Sequence, residues 1–251
     1  MLILPLMEQK IFLQSLKKNK TQGSTQHVIF DFDDTLVNSD EFSKAHRLLA
    51  LEVLIKEGFI DLAHYEAICD ISAHQQKLLV AHGTSFDDQL VRLCQFSHLS
   101  LKQPEQACKA YNRLLVQSLV NNTVNALPEV CPFVIDTLYA LKKQHIPFSI
   151  ISNSPRYFIK KLLSLSNLTQ FDFSHIIADS GNKSERILEV ANFNRLDPEE
   201  IVYVGDSYTD HAFAVNAGVR SINVNTGADN WLIHKEKASY IEDFKHILPL
   251  I

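Results

Sequence analysis

Nine residues near the start of the chain, Val28-Ile29-Phe30-Asp31-Phe32-Asp33-Asp34-Thr35-Leu36, constrain its fold more than any other stretch. Val28, Ile29 and Phe30 predict a short buried strand, because β-branched and aromatic side chains fit a pleated surface covered on both faces. Asp31, Asp33 and Asp34 cannot share that dry interior, since unpaired charges are not buried at tolerable cost. The strand therefore delivers them to a polar pocket at its C-terminal end, where ligands sit in open α/β sheets. A carboxylate cluster this dense repels itself unless a cation neutralises it. All-oxygen ligands favour Mg²⁺ or a similar hard ion.

The pattern around this stretch changes period twice. Before it, residues 1–26 read as an N-terminal extension. Ile11, Phe12, Leu13 and Leu16 are spaced for one side of a short helix, docked, loose or lying on a membrane surface. Residues 21–26 are a polar linker. After it, residues 38–127 predict an all-helical block. Phe42, Ala45, Leu49 and Val53 mark the first helix, capped by Asn38 or Ser39 and ended by Gly58. One or two further helices fall in 61–81. Another opens at Thr84 or Ser85 with Phe86, Leu90 and Leu93 inward. A last one opens at Pro104 with Cys108, Tyr111, Leu115 and Leu119 on one face.

From residue 128 strands and helices alternate. Strands are predicted at 147–151, 175–178, 201–204 and 221–224. Helices are predicted at 134–144, 155–164, 183–192, 209–217 and 242–248. This rhythm implies a parallel sheet with right-handed crossovers. The fold class is α/β: a Rossmann-like three-layer core with a central parallel sheet, formed by 27–37 and 128–251. An all-α helical cap, 38–127, is inserted after the first strand. Both ends of the insert lie near the aspartates, so the cap overhangs them.

Composition narrows the function. A net charge of -5 and a pI near 6.1 argue against a nucleic-acid partner, which selects basic proteins. No apolar run reaches the length of a membrane span. Cys69, Cys94, Cys108 and Cys131 form no C-x-x-C pair and no zinc pattern, as suits reduced thiols in a cytoplasmic protein. The charge fits a protein taking small substrates, with no nucleic acid and no membrane. The oligomeric state is open.

In a parallel sheet three predicted strand ends converge on one edge: Asp31/Asp33, Ser152/Asn153, and Asp206 with Asp210 one helical turn on. Lys183 opens a helix near the same edge. Carboxylates, a hydroxyl and a lysine together make a site for phosphoryl transfer. In this order Asp31-Phe32-Asp33-Asp34-Thr35, Ser152-Asn153, Lys183 and Gly205-Asp206-Ser207-Tyr208-Thr209-Asp210 resemble the four motifs of the haloacid dehalogenase superfamily. The stretch Val202-Tyr203-Val204-Gly205-Asp206-Ser207 followed by Ala214 to Gly218 is similar to its phosphoglycolate-phosphatase and β-phosphoglucomutase branch. That branch carries a helical cap after the first motif.

The resemblance implies a role for each residue. Asp31 is the nucleophile that forms an aspartyl-phosphate. Asp33 is the general acid and then the base, and its backbone carbonyl also meets the metal. An acid at Asp33 favours phosphate esters over carbon–halogen bonds, because a halide leaves without a proton. Ser152 and Asn153 bind phosphate. Lys183 neutralises Asp31 and the phosphoryl group, with Lys160 and Lys161 as competing candidates. Ser184 stands where relatives often have Pro. Asp31, Asp33, Asp206 and Asp210 form the Mg²⁺ site. Two positions depart from glycine: Asp34, read as an exposed turn residue, and Phe133.

The expected function is Mg²⁺-dependent hydrolysis of a small phosphate monoester. The alternatives are a β-phosphoglucomutase-like phosphosugar mutase and a non-catalytic binding module retaining the fold. Substrate choice is assigned to the cap, with His46, Arg47, His82 and Arg92 as candidates to face the leaving group. Tyr208 and His211 are placed at the rim.

Overall fold

The computed structural model describes residues 24–71, 89–121, 123, 127–224 and 240–241. The N-terminal helix, His82, the segment 84–88 and the closing helix at 242–248 lie outside the described residues.

Eight strands are described: β1 (His27–Phe30), β2 (Val37–Asn38), β3 (Glu129–Val130), β4 (Phe148–Ile151), β5 (Ile176–Ile177), β6 (Ile201–Gly205), β7 (Arg220–Val224) and β8 (Tyr240–Ile241). Six form one sheet in the order β5-β4-β1-β6-β7-β8, and every pairing in it is parallel. The apolar run thus becomes a central strand. Val28 lies between Phe148 of β4 and Val202 of β6. Val28, Ile29 and Phe30 are wholly buried, each contributing about 2 kcal/mol of apolar burial.

Helices cover both faces. They are α1 (Asp40–Lys56), α2 (Leu62–Cys69), α3 (Gln89–Phe96), α4 (Pro104–Asn121), α5 (Val134–Lys143), α6 (Arg156–Leu165), α7 (Lys183–Asn194) and α8 (Tyr208–Asn216). One apolar cluster joins Val28, Phe30, Val202 and Val204 to Leu138, Leu141, Ile159 and Leu162. A second joins Ile29, Ile151 and Tyr203 to Ile187, Val190 and Ala214 on the other face. Alternate residues of β1 therefore feed opposite layers, as the two-residue period of a strand requires. The expected three-layer core is what forms.

The first four helices pack around their own cluster, which includes Leu51, Leu54, Leu90, Leu93, Tyr111 and Leu115. In α1 the buried line is Phe42, His46, Ala50 and Leu54, with Leu51 beside it, not the expected Phe42, Ala45, Leu49 and Val53. A polar residue caused the misreading. His46 lies on the inner face because its Nδ1 is 2.7 Å from the Ser118 hydroxyl and its ring packs 4.5 Å from that of Phe42. Where this block leaves the core, β2 and β3 pair antiparallel, Val37 opposite Val130. Two-residue strands carry no period, so this clasp has no signature in sequence. Among the described residues, no helix is long and apolar enough to cross a membrane.

Candidate active site

Three neighbouring strands, β4, β1 and β6, end on the same edge of the sheet. They hand over to Ser152, Asp31 and Asp206 in turn. Adjacent strands lie roughly 4.8 Å apart, so these groups meet without any long loop. The Asp31 backbone N–H donates to the Val204 carbonyl at 2.8 Å, which extends the β1–β6 ladder to the first carboxylate.

Lys183 is the first residue of α7 and the ammonium at the centre of the cluster. Its Nζ is 2.8 Å from Asp31 Oδ1 and 2.7 Å from Asp210 Oδ1, and all three residues are buried. Lys183 is the lysine that reaches Asp31, while Lys160 is exposed and Lys161 half-buried on α6. Asn182 caps α7 by accepting the Ser184 N–H at 3.1 Å. The proline that relatives often carry after this lysine has no such hydrogen to donate. The Ser184 hydroxyl also donates to the Phe213 carbonyl at 2.9 Å, tying α7 to α8.

Asp31, Asp206 and Asp210 each offer an oxygen within 4.8 Å of the others. The Thr35 hydroxyl points to Asp206 Oδ1 at 3.4 Å. Burial raises the Asp31 carboxyl well above the usual range; Lys183 opposes this, and Asp210 and Asp206 add to it. Burial alone would lower the Lys183 ammonium, but Asp210 and Asp31 outweigh it and hold it well above its ordinary value. Three buried carboxylates face one ammonium here. With all three ionised, two negative charges are left over, and all the donors are carboxylate oxygens, a set that fits a hard divalent cation such as Mg²⁺.

Asp33 is directed differently. Its Oδ1 accepts the Ser39 hydroxyl at 2.9 Å and its Oδ2 accepts the Ser154 hydroxyl at 2.5 Å. It is half-buried and its carboxylate stands outside the three-carboxylate cluster. Ser39 occupies the N-cap of α1 but makes no capping bond with its side chain. Its hydroxyl serves Asp33 instead. Ser152 is buried, and its Oγ accepts the Ser154 N–H at 3.0 Å. The exposed Asn153 accepts from the Ser180 hydroxyl at 2.6 Å.

Asp34 is not the exposed turn residue expected from sequence. It is buried, in the left-handed region at φ 57°. Phe133 adopts φ 63°. Both departures from glycine therefore sit where a residue without Cβ is preferred. Aspartate tolerates that region better than phenylalanine does.

The cap candidates separate. His46 is buried in packing between α1 and α4, with its Nδ1 on the Ser118 hydroxyl; burial lowers its pKa. Arg47 and Arg92 are half-buried on α1 and α3. Tyr208 and His211 are half-buried at the start of α8 with rings 6.2 Å apart.

From sequence Ser39 has a role only as a helix cap, and Ser154, Ser207 and Tyr203 stand inside motif stretches with no role of their own. Ser154 is two residues from Ser152, and Tyr203 is the one polar-tipped side chain in an apolar strand. Either signal was available. Tyr203 donates its hydroxyl to Asp210 Oδ1 at 3.1 Å. Ser207 and Asp210 form a capping box on α8.

Comparison with known proteins agrees with this geometry. A phosphoglycolate phosphatase from Pseudomonas aeruginosa is 31% identical over 132 residues, covering 50% of this chain and 48% of that protein. The Escherichia coli K12 phosphoglycolate phosphatase is 33% identical over 101 residues, covering 38% and 40% respectively. The chain thus spans about half the length or less of these curated relatives. A crystal structure from Haemophilus somnus 129pt, described as a predicted phosphoglycolate phosphatase, superposes with a TM-score of 0.70 at 21% identity. It covers 90% of this chain and 97% of that one. The family model for haloacid dehalogenase-like hydrolases matches residues 28–224, from the first strand of the core through β7, and the chain belongs to that family.

Proposed function

We propose that this protein is a Mg²⁺-dependent phosphatase that hydrolyses a small phosphate monoester through an aspartyl-phosphate on Asp31. The observation that carries this reading is the placement of Lys183 between Asp31 and Asp210, with Asp206 beside them, at adjoining strand ends. Asp31, Asp206 and Asp210, with the Asp33 carbonyl, are the groups assigned to hold the cation. When bound, Mg²⁺ supplies charge neutralisation for the phosphoryl oxygens.

The chain's own residues divide the remaining work. An Asp31 oxygen attacks phosphorus and the bond to the ester oxygen breaks. Asp33 gives its proton to the leaving alkoxide. Asp33 then takes a proton from water as that water attacks phosphorus, and the bond to Asp31 breaks to release phosphate. Ser152 Oγ–H and the Asn153 N–H donate to phosphoryl oxygens. Lys183 balances the charge spread over those oxygens. The helical block, with proposed limits 38–127, closes over the site and selects the leaving group.

The names of the curated relatives make 2-phosphoglycolate the first ester to assay. The test is a panel of that ester, hexose phosphates and p-nitrophenyl phosphate, with Mg²⁺ or with EDTA. Phosphate release that needs Mg²⁺ supports the reading. An isomerised sugar phosphate without free phosphate would replace it with a mutase. Tight binding of an ester with no turnover of any would replace it with a binding module.

A further inference from the structure

Beneath the catalytic edge lies a side chain to which the motifs assign no role. Tyr203, in the middle of β6, is wholly buried, with Ile29 as its neighbour on one strand and Ser221 on the other. Its ring belongs to the apolar layer with Ile187, Ala191 and Ala214 of α7 and α8. Packing alone would accept any large apolar residue there. The phenol instead reaches the start of both helices: its hydroxyl donates to Asp210 Oδ1 at 3.1 Å, and Lys183 Nζ sits 5.9 Å from the ring centroid.

The acceptors of Asp210 can be counted. Oδ1 takes the Lys183 ammonium at 2.7 Å and the Tyr203 hydroxyl at 3.1 Å. Oδ2 takes the Ser207 N–H at 3.2 Å and the Ser207 hydroxyl. A carboxylate has about four acceptor sites, and all are in use. Gly205 leaves room for this side chain where any Cβ would collide with it. Two buried carboxylates compete for one ammonium. The neutral donors on Asp210 offset part of its charge, which leaves more of the Lys183 charge for Asp31.

We propose that Tyr203 is a positioning residue of the active site: its phenol fixes Asp210, and Asp210 in turn keeps Lys183 aimed at Asp31. This rests on the phosphatase reading above.

The test uses Tyr203→Phe, which removes one oxygen and keeps the ring, and Asp210→Asn. With p-nitrophenyl phosphate and Mg²⁺, Tyr203→Phe loses about tenfold in kcat with KM within twofold, as a misaimed group does. The double variant is no slower than Asp210→Asn alone, because the two residues act in series. The Mg²⁺ dissociation constant by calorimetry stays within about twofold in Tyr203→Phe. Wild-type kcat in Tyr203→Phe, additive losses in the double variant, or a Mg²⁺ affinity that falls in step with kcat would each overturn the proposal. A second readout is independent of turnover: the ¹H–¹⁵N signal of the Lys183 ammonium in ¹⁵N-lysine-labelled protein. It is sharp in the wild type and lost or broadened in Tyr203→Phe. An unchanged signal would overturn the proposal even if the wild type hydrolysed no ester, a result that would by itself count only against the phosphatase reading. If Tyr203→Phe does not fold, 3-fluorotyrosine at position 203, which keeps the hydroxyl, must retain wild-type kcat and the sharp signal.

Discussion

Gly205 makes room for Asp210. A Cβ at position 205 would lie 2.5 Å from the Asp210 Cβ and 2.6 Å from its carboxyl carbon, closer than two carbons can approach. The glycine at the end of β6 is therefore required by the side chain one turn into α8, and not by its own backbone angles. Gly205→Ala must displace Asp210 and with it Lys183. The expected result is a loss of about 1–3 kcal/mol in stability and a fall in kcat of at least about a hundredfold. Urea unfolding and phosphate release measure the two effects.

Ser39 and Ser154 hold the two oxygens of Asp33 from opposite sides of the cap–core junction. Removing either hydroxyl leaves Asp33 with more freedom. Ser39→Ala and Ser154→Ala are each expected to lower kcat by about 3- to 10-fold. Because the Ser39 side chain caps nothing, Ser39→Ala should leave the melting temperature nearly unchanged. Asn182→Ala, which removes a real cap, should cost about 1 kcal/mol.

His27 is wholly buried at the start of β1, with Nε2 2.8 Å from the Ser149 hydroxyl. Burial, and then His175, lower its pKa from 6.5 to about 4. The unfolded chain takes up this proton near pH 6.5 and the folded chain only near pH 4. The stability gained by keeping His27 neutral is thus complete above about pH 6.5 and is lost as pH falls towards 4, up to about 3 kcal/mol. Thermal melting from pH 7 to pH 4 should show a steeper loss for the wild type than for His27→Gln. Parallel curves would contradict this.

Phe133 precedes α5 at φ 63° and is 45% exposed. Nearly half of the phenylalanine stays in solvent while its backbone bears the left-handed conformation, which costs about 1 kcal/mol or more. Phe133→Gly is therefore expected to stabilise the protein by up to about 1 kcal/mol, read as a rise in the urea midpoint at constant slope.

How legible the molecule was in its sequence depended on the kind of signal. Asp31 and Asp206 stood out because a charge at the end of an apolar run has few physical explanations, whereas Lys183 was picked out by its order and spacing among the motifs. The order of strands did not stand out, since no period says that β1 lies between β4 and β6. The burial of His46 and of Asp34 was hidden for a shared reason. Hydropathy assigns polar residues to the surface, whereas both are buried, His46 with Ser118 as its partner. Tyr203 was passed over because its ring suits a strand and its hydroxyl has meaning only once α7 and α8 are in place. The hydroxyls of Ser39 and Ser154 depend on Asp33 in the same way.

The most direct measurement of the central claim is phosphate release from 2-phosphoglycolate and p-nitrophenyl phosphate by the wild type and by Asp31→Asn, each with Mg²⁺. The account predicts steady turnover by the wild type and none above background by Asp31→Asn, with the variant folded by circular dichroism. Asp31→Asn turning over at the wild-type rate would contradict it.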